Sequence, residues 1–242
     1  MYVGGAFVRS ESGRTFVVDA VNAALGSRKD ARDAVVAARR AFGGWSGATA
    51  YNRGQVLYRI AEMMESRAAE FGPSAGEAID QWVWYAGWTD KLAAVLGTSN
   101  PVAGPFVSWS APEPTGVVVV LAPESLPGLV SVLAPVIATG CTAVLVAPSP
   151  VDAMTLAEVL AVSDVPAGVV NILTGRLAEL APPLASHMDV NAIDVSGAPA
   201  ELADSLVVAA ADNLKRVVRG GDGIDRMRSY LEIKTVWHPV GP

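Results

Sequence analysis

The sequence predicts an α/β fold built on a doubly wound, mainly parallel β-sheet. Val-rich runs at residues 117–121, 142–146 and 169–173 lack polar alternation, which is typical of strands buried on both faces. Apolar segments of helical length separate these runs, and strand–helix–strand order implies parallel crossovers. Gly140 and the Ala147-Pro148 step mark boundaries between elements. Ligands of such sheets bind beyond the carboxyl ends of the strands.

The N-terminal part predicts short extended segments followed by three helices. Turn residues Gly4-Gly5 and Ser12-Gly13 divide the first 26 residues. Ser27 suits the N-cap of the first helix, and Gly43-Gly44 is expected to end it. Trp84 on the third helix is expected in the core, because helical spacing explains its aromatic neighbours. From apolar spacing, the predicted helices occupy residues 27–41, 51–71 and 77–96.

The second half of the chain continues the alternation of helix and strand. Pro182-Pro183 is expected to interrupt the third of its helices. Four helices are predicted, at residues 126–139, 151–162, 177–186 and 201–211. Two further strands are predicted, at residues 192–195 and 214–218.

Two segments alternate polar and apolar side chains and therefore predict half-exposed strands. They are residues 106–111 and residues 230–237, and the second has a large apolar side. A terminal strand of this kind is a candidate for pairing with another subunit. The candidate oligomerisation residues are Val107, Trp109, Leu231, Ile233, Thr235 and Trp237.

Composition excludes several classes of function. A net charge of −6 argues against nucleic acid and against anionic membrane surfaces as partners. Residues 125–151 carry no charge and are long enough to span a bilayer. Pro127, Gly128, Pro135 and Gly140 interrupt this run and no Lys or Arg flanks it, so a buried strand–helix–strand unit is the preferred interpretation.

Cys141 is the only cysteine, which excludes an internal disulfide and a zinc cluster. Its place at the start of a buried strand predicts a small apolar filler, the alternative being a reactive thiol. His187 and His238 lie apart without ligand spacing, so no metal site is predicted. A single thiol and the lack of an apolar core of signal-peptide length in the first residues predict a cytoplasmic protein.

Several motifs occur in the order in which one known family has them. The segments EPTGVVVVLAPESLP, VPAGVVNILTG, NLKRV and YLEIKTVWHPVG follow one another along the chain. The first resembles the E-P-x-G-V-V-x-x-x-x-P-W-N-F-P motif of the aldehyde dehydrogenase superfamily, and the second resembles its L-P-x-G-V-V-N-x-x-T-G motif. NLKRV resembles the start of the segment that leads to the family's E-L-G-G, and the last segment resembles the family's C-terminal strand. The resemblance implies a Rossmann-like cofactor domain at residues 1–104 and 117–221. It also implies a β oligomerisation flap made of the strands in residues 105–116 and 222–242.

The resemblance leaves no room for the family's catalytic domain. In the family that domain, with its nucleophilic cysteine, lies between the E-L-G-G motif and the C-terminal strand. Here only residues 222–229 lie between Gly221 and Tyr230. The layout looks most like the non-catalytic C-terminal half of the double-length (class 16) aldehyde dehydrogenases.

The catalytic and cofactor positions of the family are also changed. Ser125 stands at the oxyanion asparagine, and Arg219 occupies the neighbourhood of the general-base glutamate. Neither the Lys nor the Glu of the ribose-binding K-P-S-E motif occurs in residues 146–150. At the phosphate turn, Ala198 stands at the family's serine and Leu202 at its closing glycine. Pro199 and Glu201 lie where a helix N-terminus would meet a pyrophosphate, and a carboxylate there repels phosphate. No catalytic, cofactor-binding or metal-binding residue is therefore predicted, and no cofactor is expected.

These observations predict a non-catalytic aldehyde dehydrogenase-like protein. It would serve as an assembly or structural subunit that pairs with a full-length NAD-dependent aldehyde dehydrogenase or with a second copy of itself, by addition of β-strands. Two alternatives stay open. The chain could be a module that binds NAD without turnover, or an aldehyde oxidoreductase with NAD as acceptor that a partner completes. The chain alone is not predicted to be an enzyme.

Overall fold

The computed structural model describes residues 1–18 and 20–241. The strands of these residues are β1 (Tyr2–Val3), β2 (Ala6–Phe7), β3 (Thr15–Val18), β4 (Val21–Ala24), β5 (Thr98–Asn100), β6 (Phe106–Pro114), β7 (Val117–Leu121), β8 (Thr142–Ala147), β9 (Val170–Thr174), β10 (Ala192–Asp194), β11 (Arg216–Val218) and β12 (Leu231–Pro239). Their helices are α1 (Arg28–Gly47), α2 (Ala50–Ser66), α3 (Ala68–Phe71), α4 (Ala75–Trp88), α5 (Leu92–Leu96), α6 (Leu126–Ala138), α7 (Pro150–Ala161), α8 (Leu177–Ala185), α9 (Ala200–Ala211) and α10 (Gly223–Ser229), with a 3₁₀ turn at Gly72–Ser74.

The main sheet has seven strands in the order β11-β10-β7-β8-β9-β1-β2. The five strands from β11 to β9 are parallel, and β1 and β2 add an antiparallel edge. The order of the parallel strands reverses between β7 and β10, so the sheet is doubly wound, as the sequence predicted. A second sheet, β12-β6-β5, forms the flap, and β3 and β4 form a separate hairpin.

Apolar layers cover both faces of the main sheet. Val118 and Val120 belong to one buried cluster, with α6 and α7, whereas Val117 and Val119 belong to a second cluster, with α1, α8 and α9. Every residue of β7 and β8 is buried. A continuous run of valines satisfies both layers, because neighbouring residues of a strand point to opposite faces.

Helix α1 begins as the sequence predicted but continues past its expected end. Ser27 is the N-cap and forms a capping box with Asp30. Gly43-Gly44 does not end the helix, which runs to Gly47. Trp45 explains the difference, because its ring is buried and its Nε1–H donates to the carbonyl oxygen of Ile137 at 3.0 Å. This tertiary contact outweighs the low helix propensity of glycine.

The capping carboxylate of Asp30 makes stability depend on pH. Desolvation by itself would raise the pKa of Asp30. The carboxylate accepts hydrogen bonds from the backbone N–H groups of Glu11 and Ser27 and from the Ser10 hydroxyl. These bonds outweigh the desolvation, so the net pKa is lowered. A depressed pKa adds stability above the unfolded pKa, and this stability is lost as the pH falls through the folded value. We expect Asp30→Asn to lower the free energy of unfolding by about 1–2 kcal/mol near neutral pH.

Urea titrations of wild type and Asp30→Asn at a series of pH values measure this effect. The gap between the two proteins is expected to begin to shrink below about pH 4, where the Asp30 carboxylate of the unfolded chain becomes protonated, and to close as the pH falls through the lower pKa of the folded protein. Exposed Asp33, also on α1, supplies a control substitution, Asp33→Asn, with little effect at any pH. A gap for Asp30→Asn that is the same in acid and at neutral pH would contradict the account.

Other boundaries differ from the sequence expectation. The second and third predicted helices are each divided, at Arg67 and after Trp88. Pro182-Pro183 does not interrupt α8, whose buried residues pack onto the sheet. The flap segment 222–242 was predicted to contribute a strand at residues 230–237, and the structure has β12 there but also places helix α10 before it. Strand β5 pairs with β6, so it belongs to the flap rather than to the cofactor-type domain.

The uncharged run at residues 125–151 contributes to the buried interior of the domain. Among them, no helix combines the length and the apolar character that crossing a bilayer requires. Helix α6 and strand β8 account for this run, and both are buried in the domain.

Candidate functional site

The first candidate site lies at the switch point of the sheet, where β7 and β10 are parallel neighbours. After β7 the chain enters α6, and after β10 it enters α9 on the opposite face of the sheet. In open α/β sheets, a ligand binds between the two loops at such a point. The residues of the loops after β7 and β10 therefore decide whether this edge of the sheet can hold a cofactor.

The two loops pack directly on each other. The N–H of Gly197 donates to the carbonyl oxygen of Leu121 at 3.1 Å. A Cβ atom at Gly197 would lie 2.3 Å from the carbonyl carbon of Ala122, so only glycine fits there. Ser125, at the family's oxyanion position, is the N-cap of α6, and its Oγ accepts from the N–H of Gly128 at 3.2 Å. Its hydroxyl oxygen is therefore engaged in helix capping.

A buried polar network covers the end of β10. The Asp194 carboxylate is fully buried and accepts from Arg226 Nη1 at 2.5 Å and from the Tyr230 hydroxyl. Ser196 adds two further donors, its N–H at 2.9 Å and its Oγ at 2.5 Å. Arg226 also donates to the carbonyl oxygen of Gly221 at 2.8 Å. These bonds hold α10 against the strand end.

Tyr230 stays protonated within this network. Burial and the Asp194 carboxylate together raise its pKa well above the ordinary value. Its hydroxyl therefore remains a hydrogen-bond donor to Asp194 across the physiological range. Since Tyr230 directly precedes β12, the same contact sets where the terminal strand begins.

Sequence reasoning missed this network. Asp194 was treated as part of an ordinary buried strand, and Arg226 as part of a short linker. One signal was present, because a carboxylate inside the apolar strand Ala192–Asp194 must find a partner to be buried. The partner itself was not identifiable, since Arg226 lies 32 residues away.

The residues at these strand ends do not fit a dinucleotide. The guanidinium of Arg226 is neutralised by Asp194, and Arg219 pairs with Asp204 at 2.9 Å. Helix α9 has Pro199 as its N-cap, without a side-chain bond, and Glu201 in its first turn. A pyrophosphate placed there would meet a carboxylate instead of a cation.

The only thiol of the chain is held in the core. Cys141 is fully buried, and its Sγ donates to the carbonyl oxygen of Tyr230 at 3.3 Å. Burial raises the pKa of the Cys141 thiol, which disfavours the nucleophilic thiolate. The structure therefore supports the interpretation of Cys141 as a core residue.

We expect Cys141 to resist alkylation in the native protein. Iodoacetamide at about pH 8, near the ordinary thiol pKa, should leave the folded chain unmodified while it labels the same chain in denaturant. Mass spectrometry of the intact protein measures both reactions. Labelling of the folded protein at the rate of a free thiol would contradict a buried, protonated Cys141.

The second candidate site is the flap sheet, in which β12 pairs with β6 over nine residue pairs. Thr235 lies opposite Ser110, and Trp237 lies opposite Ser108. Directly opposed residues share a face, so Val107 and Trp109 lie on the other face of this sheet. The predicted oligomerisation residues therefore do not form one surface.

Their exposure also differs. Leu231 is buried and belongs to the core, whereas Ile233 is 48% and Trp237 60% exposed. Thr235 is exposed, and its hydroxyl is hydrogen-bonded to that of Ser110 at 2.8 Å. On the opposite face, Val107 and Trp109 are exposed as well, and Trp109 lies 6.4 Å from the ring of His238. Apolar side chains thus flank the sheet on both faces, and β12 is one of its two edge strands, the other being the three-residue β5.

Trp84 departs from the sequence expectation. Its ring is 41% exposed, although it was expected in the core. Trp82, on the same helix, is fully buried instead. Helical spacing identified an aromatic helix but not which of its faces the core covers, because apolar residues occur on more than one side of α4.

Comparison with known proteins identifies the family. The family model described as "Aldehyde dehydrogenase family" matches residues 18–225. The D-glyceraldehyde dehydrogenase (NADP(+)) of Thermoplasma acidophilum is 32% identical over 251 residues, which cover 91% of this chain and 50% of that enzyme. The chain spans about half the length of the curated relatives that it matches.

Solved structures share the fold of this chain over about nine-tenths of its length. HpcC from Thermus thermophilus is 29% identical with a TM-score of 0.81, covering 89% of this chain and 46% of that one. PnpE in complex with nicotinamide adenine dinucleotide is 26% identical with a TM-score of 0.81, covering 89% of this chain and 49% of that one. The fold, the matched family model and these relatives together show that the chain belongs to the aldehyde dehydrogenase family.

Proposed function

We propose that this chain is a non-catalytic assembly subunit of the aldehyde dehydrogenase family. In this proposal it lacks the catalytic domain and corresponds to the non-catalytic half of the double-length members. The edge of β12 pairs with a strand of a full-length NAD-dependent aldehyde dehydrogenase or of a second copy. The observation that carries the proposal is the nine-residue edge strand β12 with its exposed Ile233 and Trp237.

An edge strand of this length favours β-augmentation. Its outward N–H and C=O groups can bond to a partner strand, and side chains on the two faces fix the register. Ile233 and Trp237 would contribute on one face, and Val107 and Trp109 on the other. Soluble proteins normally protect such an edge with charge or with a covering element. Strand β12 carries two charged side chains, and both are paired within the chain, Glu232 with Arg216 at 2.7 Å and Lys234 with Glu113 at 3.1 Å.

The strand ends support a non-catalytic role. The single thiol is buried and protonated, Ser125 caps a helix, and Arg226 and Asp194 satisfy each other. Acyl transfer to a thiol would need an accessible thiolate, an oxyanion donor and a base. A reducing cytoplasmic compartment agrees with the single free thiol and forms part of the proposal.

Affinity purification tests the proposal. A tagged form of this chain, expressed in its native host, is expected to retain a full-length aldehyde dehydrogenase or an untagged copy of itself at fixed stoichiometry. The complex should survive high salt, because strand pairing and apolar contacts are screened little. Recovery of the tagged chain alone, as a monomer, would contradict an assembly role.

Retained NAD binding is the alternative, and the likeness to the NAD-bound PnpE structure favours it. An oxidoreductase completed by a partner belongs to the same alternative. Titration calorimetry with NAD and NADP separates the possibilities. The strand-end residues predict no heat of binding at submillimolar cofactor, and saturable binding in that range would support the alternative.

A further inference from the structure

A groove of about 620 Å³ runs between the start of α1 and the end of α8. The buried side chains of Ala31 and Leu184 supply its apolar part. It shares no lining residue with the loops after β7 and β10 or with the flap. Cavities of roughly 300–1,000 Å³ hold small organic ligands. The groove is therefore large enough for a small molecule and separate from the two candidate sites described above.

The charged side chains of this groove are all basic. Arg28, Lys29 and Arg32 come from the start of α1, and His187 follows the end of α8. Arg28 and Arg32 are four residues apart, so they project from the same face of the helix. Among the described residues, no carboxylate lines the groove, although the chain has a net charge of −6. The groove is thus a local positive region on an acidic protein.

The three cations of α1 are not held by strong internal partners. Within the described part of the chain, Arg28 forms no ion pair, whereas Lys29 pairs with Glu11 at 3.7 Å and Arg32 with Asp33 at 3.3 Å. Both members of each pair are about half exposed, and ion pairs of this kind contribute little. A ligand of higher negative charge can therefore compete for these side chains.

His187 adds a directed hydrogen-bond donor. Its Nδ1 accepts from the backbone N–H of Asp189 at 3.2 Å, so the neutral ring carries its proton on Nε2. Burial lowers the pKa of His187, and Asp189 opposes this effect. Nearby cations lower the pKa further, namely Lys215, Arg32 and Arg39. An anion bound beside the ring would act against these cations and favour the imidazolium form.

The carbonyl groups at the end of α8 are already occupied. The N–H groups of Ser186 and His187 donate to the carbonyl oxygens of Pro182 and Leu184, at 3.1 and 3.2 Å. The Ser186 hydroxyl donates to the carbonyl oxygen of Pro183 at 3.4 Å. Free carbonyls at a helix C-terminus would repel an anion, and these bonds reduce that repulsion.

We propose that this groove binds a soluble phosphate monoester. The phosphate group lies among Arg28, Arg32 and His187, and the organic group covers Ala31 and Leu184. Guanidinium groups bind phosphate through paired hydrogen bonds, which an ammonium group cannot form. A phosphate carries roughly two negative charges near neutral pH and three strong acceptor oxygens, so it uses more of these donors than a carboxylate does.

Phenyl phosphate is the probe. Benzenesulfonate is its monoanionic control of similar shape, and benzyl alcohol is the neutral control. Titration calorimetry of the full chain at low ionic strength is expected to show saturable binding of phenyl phosphate. Benzenesulfonate should bind at least about threefold and benzyl alcohol at least about tenfold more weakly, because the charge falls along the series. No saturable binding of phenyl phosphate, or equal binding of the probe and either control, would overturn the proposal.

The two histidines of the chain supply a spectroscopic readout. In proton NMR spectra, phenyl phosphate is expected to move the ring signals of His187 and to raise its pKa, because the anion stabilises the imidazolium. The ring signals of His238, on β12, should not move. His187→Gln assigns the two sets of signals. Unchanged His187 signals at saturating phenyl phosphate would contradict the site.

Charge-matched variants locate the ligand. Arg28→Gln/Arg32→Gln is expected to weaken the binding of phenyl phosphate at least about tenfold. Arg40→Gln/Arg59→Gln removes the same charge from exposed positions of α1 and α2 outside the groove, and should bind nearly as wild type. Circular dichroism checks folding. Equal affinities of the two double variants would refute the site, and if the first misfolds, the His187 signals of the wild-type chain decide.

A phosphate monoester is also the headgroup of phosphatidic acid. Vesicles of phosphatidylcholine and phosphatidic acid are expected to leave the chain in solution, because its net charge of −6 is repelled by an anionic surface. Sedimentation of the chain with these vesicles would overturn the assignment of a soluble ligand.

The ligand proposal is independent of the assembly proposal. Binding of phenyl phosphate is measured on the chain alone, whatever its oligomeric state, and the groove uses no residue of β12. A failure here would therefore leave the edge-strand proposal in place, and the reverse also holds.

Discussion

Replacing Arg226 with leucine is expected to lower the free energy of unfolding by about 3–5 kcal/mol. The substitution leaves the Asp194 carboxylate in the core without a counter-ion, with only neutral donors from Tyr230 and Ser196. Removal of one partner of a buried ion pair lowers the stability by more than the intact pair contributes to it, because the remaining charge stays buried without a counter-ion. The side chains of Arg226 and Asp194 are 6% and 0% exposed, so water cannot replace the lost partner without opening the site.

Urea unfolding followed by circular dichroism measures this loss. Arg228→Leu is the matched control, because Arg228 is exposed on the same helix and should change stability by less than about 0.5 kcal/mol. The double variant Arg226→Leu/Asp194→Leu should recover part of the loss, since both charges are then removed. Equal stability of Arg226→Leu and Arg228→Leu would show that the network does not secure α10 to the sheet.

The double variant Ile233→Glu/Trp237→Glu is expected to weaken assembly by at least about 100-fold, equivalent to about 2.7 kcal/mol. Both side chains are about half exposed or more in the single chain, so the folded chain tolerates the change. In an assembly they would be covered by the partner strand, and burial of unpaired carboxylates is unfavourable. Size-exclusion chromatography over a range of concentrations measures the effect.

A matched control uses an exposed valine outside the flap. Val17 is 67% exposed on the hairpin formed by β3 and β4, and Val17→Glu should assemble like wild type. Thermal unfolding of each variant separates a loss of assembly from a loss of folding. Assembly of the Ile233→Glu/Trp237→Glu variant at wild-type concentrations would remove the edge of β12 from the interface.

The central sheet was predictable because its signals are local. The run Val117–Leu121 has the same bounds in the sequence prediction and in the structure. Helix α6 begins at the predicted residue, and helix α7 begins one residue before the predicted start. Long apolar runs between Gly and Pro leave one consistent interpretation, strands buried on both faces.

Helix α10 could not be predicted in the same way. It has seven residues, begins with glycine and has only two apolar side chains at helical spacing, Ile224 and Met227, which are too few to predict a helix. Its position depends on the pair of Arg226 with Asp194, a contact between segments that lie far apart in sequence. Alternation likewise predicted strands in the flap, but only the register between β6 and β12 shows that Trp109 and Trp237 lie on opposite faces.

Sedimentation velocity tests the central claim most directly, first on the purified chain and then on its mixtures with the full-length aldehyde dehydrogenases of its host. The account predicts a species heavier than the 25.0 kDa chain, either a self-assembled dimer or a complex with one such enzyme, and predicts that it dissociates in the Ile233→Glu/Trp237→Glu variant. A 25.0 kDa monomer that persists alone and in every mixture would contradict it.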